Sequence, residues 1–331
     1  MPDIDVSVVV CTYNRAPSLR VTLAALDTQV VPAALRWELI VVDNGSTDDT
    51  ARVVQAFAAS ARIPVRYWRE QQPGLSRARN AALPLAQGRV LAFTDDDVRP
   101  APGWVAAVDA VTRETGADVL GGQILPEWEA PPPAWLSRRP RLWSYLTVLD
   151  HDAPAVLAGA HGVPTVWGAN MAARREVLAD LRGFDPRRGV IGTTLHGGED
   201  LDMVTRALAA GYRAVYDPRV VVAHRVGPER MRRRYLSRLC YERAEGYALV
   251  DPPPAGRLLL GAPPFAYRTA LVRLGRWLAA AARRRPDTLE RWLECCKAAG
   301  TLRGLWKRGR TTRAERTPLS SPPRPPPASD P

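Results

Sequence analysis

The chain has 331 residues, of which 46% are apolar, and its formal net charge is +12. This length suits one large domain or two smaller ones with a sizeable core. The positive charge favours anionic partners, such as a phosphate-bearing substrate, an anionic membrane surface or nucleic acid. Because no uninterrupted apolar run reaches the roughly 20 residues that a bilayer-crossing helix needs, the composition argues against a membrane-spanning protein.

The N-terminal residues and the cysteines predict a cytoplasmic protein. The first residues, MPDIDVSVVV, contain no basic leader, so we expect no signal peptide. The four cysteines form no CxxC pair and suggest neither a disulfide framework nor a metal site, as expected in a reducing compartment. They are Cys11, Cys240, Cys295 and Cys296.

The first hundred residues alternate between apolar runs and helical patterns. Buried strands are predicted within residues 6–15, 37–50, 63–70 and 89–98. Helices are predicted over residues 17–29, from about residue 47, and over residues 74–88. This alternation indicates βαβ units, and therefore an α/β fold with a Rossmann-like, mostly parallel sheet flanked by helices.

Polar residues follow three of these strands, at residues 12–15, 43–46 and 95–97. In an open sheet of this kind, ligands bind beyond the carboxyl ends of the strands. We therefore expect the three polar clusters to meet at one edge of the sheet and to form a binding site.

The middle of the chain is less regular. Residues 126–140 are rich in proline and predict a long surface loop, and residues 163–178 predict a strand that turns at Gly168 into a helix. A helix with acids in its first turn is predicted over residues 197–211, followed by two short strands within residues 212–226 that end at His224.

After residue 226 the composition becomes basic, which predicts three domains or segments: 1–226, a basic helical extension over 227–316, and a proline-rich disordered tail over 317–331. The extension holds a basic helix and two basic amphipathic helices. These helices could pack on the rest of the protein, lie on an anionic membrane or contact a phosphorylated lipid, and all three alternatives remain open.

Three adjacent aspartates, Asp95, Asp96 and Asp97, end the fourth predicted strand. Adjacent carboxylates repel one another, and Mg²⁺ or Mn²⁺ would offset that repulsion while sharing its coordination with a diphosphate. The spacing puts Asp95 and Asp97 on the same side of an extended chain. The alternative is a solvated acidic turn, and the position at the end of a buried strand favours the metal.

Other candidates have two interpretations each. Asp43 could accept hydrogen bonds from a base or a ribose, or cap a turn. Tyr13 could stack on a nucleobase, or pack within its loop. Arg77 and Arg79, in the first turns of a helix, could bind a phosphate or be surface arginines.

Two later residues are similarly ambiguous. His224 ends an apolar strand, where it could ligate the metal or form a structural hydrogen bond. Asn170 follows Trp167 and Gly168, and could contact a substrate or cap its helix.

Six motifs, in this order and spacing, resemble family 2 glycosyltransferases of the GT-A fold. They are VSVVVCTYNR, VVDNGSTDDT, GLSRARN, TDDDV, WGANMAARR and GGEDLDMVTRA. The resemblance covers residues 6–224, about two thirds of the chain. It implies an inverting transfer of a sugar from a nucleotide diphosphate, with UDP as the default nucleotide and guanosine and thymidine donors left open.

The resemblance also implies roles for individual residues. In the family, the first loop and the aspartate after the second strand hold the nucleoside, and the DxD-like element holds the ribose and the metal with its diphosphate. The corresponding donor-binding residues are Thr12, Tyr13, Asn14, Arg15, Asp43, Asp95 and Asp96, with Arg77 and Arg79 near the phosphates. The residues that correspond to the metal site, for Mn²⁺ or Mg²⁺, are Asp95, Asp97 and His224. Apart from the resemblance, we expect Trp167 and Asn170 to contact the acceptor.

The "ED" pair of the family supplies the catalytic base, here Asp200 with Glu199 beside it. Inversion requires a carboxylate opposite the leaving nucleotide to take the proton from the acceptor hydroxyl. The metal stabilises the departing diphosphate, so the two groups of acids must converge in space although they are far apart in sequence. Asp202, deeper in the helix, is interpreted as a structural acid.

The expected partners are a nucleotide-sugar donor and a saccharide, lipid-linked or small-molecule acceptor, in polysaccharide or glycoconjugate synthesis, with no nucleic acid. The expected location is the cytoplasm. A more specific alternative is peripheral association with the inner face of the plasma membrane. Two other functions are a non-catalytic nucleotide-sugar-binding membrane scaffold and a metal-dependent nucleotidyltransferase. The segment CTYNRAPS lacks the glycine-rich phosphate loop that a nucleotidyltransferase usually has. The intact pairs Asp95/Asp97 and Glu199/Asp200 argue against a non-catalytic scaffold.

Overall fold

The computed structural model describes residues 4–157, 166–251 and 258–315. The chain divides into two compact units, Met1–Leu239 and Cys240–Pro331. The boundary therefore lies thirteen residues after the predicted position at 226, and it falls inside a helix that the basic composition had assigned as a whole to the extension. The predicted tail, 317–331, lies outside the described residues.

The first half of the first unit has the predicted alternation of strands and helices. These elements are β1 (Val6–Thr12), α1 (Ala16–Asp27), β2 (Trp37–Asp43), α2 (Thr50–Ser60), β3 (Val65–Arg69), α3 (Leu75–Ala82) and β4 (Val90–Asp95). Each predicted strand and helix is present, and most boundaries shift by a few residues because polar residues at the strand ends belong to turns.

The second half of this unit is more irregular. Its elements are β5 (Val98–Pro100), α4 (Trp104–Thr115), β6 (Val119–Trp128), α5 (Ala134–Ser137), a 3₁₀ helix (Pro140–Leu146), β7 (Ala155–Val156), β8 (Asn170–Arg174), α6 (Arg175–Asp180), α7 (Glu199–Ala209) and β9 (Ala214–Val226). The loop predicted for residues 126–140 is thus wrong in part, because β6 continues to Trp128 and two short helices follow.

Two further predictions need correction. Gly168 precedes the strand instead of ending it, and residues 170–174, predicted to be helical, form β8. The two short strands predicted over residues 212–226 form one strand, β9, with an irregularity in its pairing with β6 between Gly122 and Gln123. Pro218 lies at this irregularity of β9, where its missing N–H is tolerated.

The described strands form one nine-stranded sheet, in the order β3-β2-β1-β4-β8-β6-β9-β5, with β7 paired to β9. The strands β3, β2, β1 and β4 are parallel, whereas β8 runs antiparallel to both β4 and β6. The α/β class is confirmed, and the sheet is mixed beyond β4. Because β8 starts opposite Thr94, its first residue lies near the carboxyl end of β4.

Both faces of the sheet are covered by helices. One hydrophobic core contains residues of α1, α2 and α4, and the other contains residues of α3, α6 and α7. Along β1, Val8 and Val10 join the first core and Val9 joins the second. Burial on both faces explains why the central strands are continuous apolar runs.

The second unit is helical in its described part. The helix α8 (Arg233–Val250) contains the boundary between the units, and α9 (Pro264–Ala282) and α10 (Thr288–Glu315) follow. The small core of this unit contains Ala262 before α9, Ala266 of α9, and Leu302 and Leu305 of α10. No helix among the described residues combines the length and the apolar content that crossing a bilayer requires.

One side chain, Asn170, joins four elements around the start of β8. It is 1% exposed. Its Oδ1 accepts a hydrogen bond from Trp104 Nε1 at 2.8 Å, and its Nδ2 donates to the carbonyl oxygens of Gln123 (2.9 Å) and Val220 (2.8 Å). A Cβ atom at Gly122 would lie 2.4 Å from Nδ2, so glycine makes room for the amide. All hydrogen atoms of this amide are therefore used inside the fold.

Replacing Asn170 by alanine should lower the free energy of unfolding by about 3 kcal/mol or more, because buried polar groups of three partners lose their hydrogen bonds. Denaturant unfolding followed by circular dichroism measures this change. Gln123→Ala, which removes only an exposed side-chain bond to Asp150, is the control and should change stability by less than about 0.5 kcal/mol. An Asn170→Ala protein of unchanged stability would contradict the structural role.

Candidate active site

Three strand ends meet at one edge of the sheet, as predicted. Thr12 at the end of β1 pairs with Asp43 at the end of β2, and Cys11 pairs with Asp95 at the end of β4. The parallel register thus brings three of the predicted donor-binding residues side by side. Cys11 is half-buried among them, and burial raises the pKa of its thiol to about 12, which keeps it uncharged.

The loop after β1 is fixed to the loop after β2. Asn14 has a positive φ of 53°, a conformation that asparagine tolerates better than most residues. Its side-chain oxygen accepts a hydrogen bond from the backbone N–H of Thr47 at 2.7 Å, and its own N–H donates to Ser46 Oγ at 2.9 Å. Tyr13 next to it is exposed, so its ring is free to meet a ligand.

Asp43 caps its own turn, which was one of its two interpretations. Its Oδ1 accepts a hydrogen bond from the N–H of Ser46 at 2.7 Å, and its Oδ2 accepts one from the hydroxyl of Tyr67 at 2.7 Å. Burial and this bond raise the pKa of Tyr67 to about 12. Asp43 is 1% exposed, so in this structure the carboxylate serves the turn and is covered from solvent.

The three aspartates after β4 have different environments. Asp96 is buried, and it accepts hydrogen bonds from Thr12 Oγ1 at 2.7 Å and from Arg15 Nη1 at 3.2 Å. Burial raises its pKa to about 7 in spite of the nearby arginine. Asp96 therefore ties the triplet to β1 from inside, and Thr12 and Arg15, predicted to hold the donor, position this carboxyl group.

Asp97 lies among cationic groups and beside His224. Its Oδ2 is 2.7 Å from Arg15 Nη1 and 3.1 Å from Arg230 Nη1, and its Oδ1 is 3.5 Å from His224 Nε2. Burial would raise the pKa of Asp97, but the ring of His224 and the two arginines hold it well below its usual range. The antiparallel pairing of β5 with β9 causes this meeting, because Val98 lies opposite His224.

Asp95, Asp97 and His224 provide carboxylate and imidazole donors, which suit Mn²⁺ or Mg²⁺ in kind. However, Arg230 Nη1 lies 3.0 Å from His224 Nε2 as well as close to Asp97, and so it uses the same lone pairs that an ion would use. Within the described residues, no three acidic, histidine or cysteine side chains are grouped closely enough to hold a metal. The donors thus suit a divalent cation in kind but are not grouped around one position in this structure, where Arg230 lies against Asp97 and His224.

Arg79 connects the two groups of acids. It is 3% exposed, and its Nη1 donates to Glu199 Oε1 at 2.9 Å while its Nη2 lies 3.5 Å from Asp95 Oδ1. Its guanidinium also stacks near the rings of Phe93 and Phe184. In this structure Arg79 is thus a buried counter-ion and not a free phosphate ligand, whereas Arg77, the other predicted phosphate ligand, is exposed and bonds to Gln72.

The acidic pair at the start of α7 points in two directions. Glu199 is buried toward Arg79, and burial together with the charge of Asp200 raises its pKa to about 7. Asp200 is half-buried, with Oδ2 bonded to the N–H of Gly168 at 2.9 Å and Oδ1 to the N–H of Leu201 at 2.7 Å. Asp200 is therefore the more accessible carboxylate, held in one orientation by two backbone donors.

Gly168 has two roles, and the second of them requires glycine. Its N–H orients Asp200, and a Cβ atom at this position would lie 2.2 Å from Nη2 of Arg79. The predicted structural role of Asp202 agrees with its ion pairs to Arg188 (3.2 Å) and Arg206 (2.8 Å). The acids of this turn thus have separate partners, in addition to a favourable position at a helix N-terminus.

The two predicted acceptor residues differ in placement. Trp167 is half-buried, packed against the first core. Asn170 is interior, and its amide is fully engaged with the strands around it, so it offers no polar atom to an acceptor in this structure. The acceptor contact remains a prediction for Trp167.

Sequence reasoning assigned no role in the site to three residues that shape it: Arg230, Tyr67 and Gly168. Arg230 follows His224 by six residues, but it was grouped with a general basic segment. The pairing of β5 with β9 could have revealed it, since that pairing brings the chain after His224 to Asp97.

The sequence matches the model of Glycosyl transferase family 2 over residues 7–182, more than half of the chain. Glycosyltransferase AglE of Haloferax volcanii is 27% identical over 223 residues, which cover 67% of each protein. Pre-mycofactocin glycosyltransferase of Mycobacterium tuberculosis is 30% identical over 225 residues, or 66% of this chain and 42% of that protein. The chain therefore matches less than half of the mycobacterial relative.

The fold is also similar to solved structures. A mannosyltransferase from Pyrobaculum calidifontis, in complex with GDP-Man and Mn²⁺, has a TM-score of 0.60 and 23% identity, with coverage of 92% of this chain and 87% of that one. Residues 1–349 of TarS from S. aureus, in complex with UDP, have a TM-score of 0.52 and 17% identity, with 92% coverage of both. These likenesses establish the GT-A fold. By sequence and by fold, the chain belongs to glycosyl transferase family 2 and is a glycosyltransferase.

Proposed function

We propose that the protein transfers a sugar from a UDP-linked donor to a hydroxyl group of a saccharide, lipid-linked or small-molecule acceptor, with inversion at the anomeric carbon. The observation that carries this proposal is the buried guanidinium of Arg79 between Asp95 and Glu199. It joins the end of β4 to the start of α7, so that the donor-side aspartates and Asp200 belong to one site. We assign the reaction to cytoplasmic synthesis of cell-surface glycans.

On the donor side, the nucleoside would lie over the strand ends. Tyr13 offers an exposed ring for stacking, whereas Asp43 is buried and holds the neighbouring turn through Ser46 and Tyr67. Asp95, Asp97 and His224 would hold the divalent cation. When bound, such a cation neutralises the charge that develops on the leaving diphosphate.

On the acceptor side, Asp200 takes the proton from the attacking hydroxyl. Its two backbone hydrogen bonds fix the direction of the carboxylate before substrate arrives, which lowers the entropic cost of the reaction. Glu199 contributes through Arg79 rather than by contact with substrate. The GDP-Man and Mn²⁺ bound to the mannosyltransferase and the UDP bound to TarS are consistent with such a donor and cofactor.

The first test is thermal stabilisation against a panel of UDP-, GDP- and dTDP-sugars with Mn²⁺. Stabilisation by a UDP-sugar and release of UDP in the presence of acceptor support the proposal. Stabilisation by a GDP-sugar instead would change the proposed nucleotide and leave the proposed reaction as it is. Release of pyrophosphate from a nucleoside triphosphate would indicate a nucleotidyltransferase, and the absence of any nucleotide binding would indicate a scaffold.

Asp200→Asn should keep donor binding and lower kcat by about 1,000-fold, because the amide cannot accept the proton while its shape is preserved. Transfer assays and calorimetric titration of UDP separate the two effects. The control is Asp202→Asn on the same helix, which loses ion pairs without touching substrate and should retain most of the turnover. Unchanged turnover in Asp200→Asn would remove this residue from the mechanism.

Asp97→Ala should abolish the part of the UDP affinity that depends on Mn²⁺, because one of the proposed metal ligands is lost. Calorimetric titration of UDP with Mn²⁺ and with EDTA gives the difference. Asp49→Ala, which removes an exposed acid paired to Arg52 on the surface, is the control. If Asp97→Ala keeps the full effect of Mn²⁺, the metal assignment is wrong.

Arg230→Met should raise the affinity for Mn²⁺ alone by about tenfold or more, since it removes a cation that competes for Asp97 and His224. Titration of Mn²⁺ followed by electron paramagnetic resonance measures free and bound ion without nucleotide. Arg230→Lys keeps the positive charge and should stay near the wild-type affinity. Equal affinities in all three proteins would show that Arg230 does not compete with the ion.

A further inference from the structure

The turn over residues 258–262, here called the leucine turn, exposes apolar side chains in an ordered conformation. The N–H of Leu259 donates to the carbonyl oxygen of Ala262 at 2.8 Å, and the N–H of Ala262 donates back at 3.1 Å. Leu260 at the tip is 82% exposed, and its φ is 47°. Leucine is a costly residue for a left-handed conformation, where asparagine or glycine is preferred. An exposed apolar side chain lowers solubility and a positive φ strains leucine, so both effects disfavour leucine at position 260.

Two aromatic side chains hold the leucine turn in place. The hydroxyl of Tyr267, on α9, lies 2.9 Å from the carbonyl oxygen of Leu259 and 3.3 Å from that of Leu260. Trp306 Nε1 donates to the same hydroxyl at 2.8 Å. The leucines are therefore presented by a braced turn, which makes their exposure a persistent feature of the second unit.

The helix α9 that follows buries small residues and exposes large apolar ones. Its fully buried residues are alanines, Ala266 and Ala280. Its exposed residues include larger apolar side chains, which are Phe265, Leu271, Val272, Leu274 and Leu278. A surface helix normally buries its large apolar residues, so this face lacks a partner within the described residues of the second unit.

The charge around this surface has one sign. Residues 258–285 contain six arginines and no acidic residue. Arg268 and Arg276 are exposed on α9, between the apolar side chains. The second unit as a whole has 17 basic and 8 acidic residues and so carries nine of the twelve net positive charges of the chain.

We propose that the leucine turn and the exposed face of α9 dock the protein on an anionic lipid bilayer. Leucine and phenylalanine side chains would enter the boundary between headgroups and acyl chains, and the interleaved arginines would contact anionic headgroups. Charge complementarity selects this occupant over a second copy of the chain, because a copy would bring the same positive charge to the contact. This inference is independent of the proposed reaction, since it uses no residue of the site.

The test is co-sedimentation of the full chain with vesicles of phosphatidylcholine alone and of phosphatidylcholine mixed with phosphatidylglycerol. We expect binding to the mixed vesicles, weakened by salt, and at least tenfold weaker binding to the neutral ones. Leu260→Ser should weaken binding to mixed vesicles by about tenfold through lost apolar burial. The pair Arg268→Gln and Arg276→Gln should have a similar effect on mixed vesicles and little on neutral ones.

Val30→Ser, at an exposed apolar position of the first unit, is the matched control and should bind as the wild type does. Melting temperatures of the variants confirm that they fold. Equal binding of Leu260→Ser and wild type, or equal binding to both kinds of vesicle, would overturn the proposal. So would sedimentation velocity that shows a dimer converted to a monomer by Leu271→Ser with Leu278→Ser, because the face would then belong to a second copy.

Discussion

The site depends on a buried cation, Arg79, and on the acids that compensate for it. A guanidinium with 3% exposure is stable only if its charge is paired, and the two available carboxylates come from different parts of the chain. The pairing therefore forces Asp95 at the end of β4 and Glu199 at the start of α7 to approach the same helix, α3. The absence of a side chain at Gly168 completes the arrangement, since any Cβ atom there would collide with the guanidinium.

The same principle explains the aspartate triplet. Three adjacent carboxylates would repel one another, and the fold gives each a different partner. Asp95 faces Arg79, Asp96 is buried against Thr12 and Arg15, and Asp97 contacts Arg15, Arg230 and His224. The protein itself thus supplies much of the positive charge that a metal would supply. The divalent cation of the proposed reaction would therefore meet a site whose charge is already partly balanced, with Arg230 against Asp97 and His224.

Sequence patterns were sufficient for the strands and for their shared edge, because buried parallel strands are continuous apolar runs and polar residues mark where they end. They were insufficient for β8, where residues such as Ala172 and Ala173 favour a helix and only pairing with β4 and β6 makes them extended. The order of the strands beyond β4, and hence the mixed sheet, depends on contacts between distant segments. No local pattern records these contacts.

Among the site residues, too, some features follow from local sequence and others depend on contacts between distant segments. The identities of the acids were predictable from motif and order, whereas the burial of Arg79 and Asn170 was not. An arginine in the first turns of a helix has the same local sequence whether it meets solvent, a phosphate or a buried acid. The tertiary neighbour decides whether such a side chain is buried: Glu199 for Arg79, and Trp104 for Asn170.

The location of the charge changes how the composition should be understood. A net charge of +12 suggested anionic partners, among them a phosphate-bearing substrate and an anionic membrane surface. The arginines nearest the site, Arg15, Arg79 and Arg230, are engaged by aspartates and glutamate. Nine of the twelve charges lie in the second unit, and its leucine turn and α9 add exposed apolar side chains to them. A donor phosphate alone would require neither feature. The proposed docking on an anionic bilayer would use both features, and it accounts for positive charge that a nucleotide donor alone would leave unexplained.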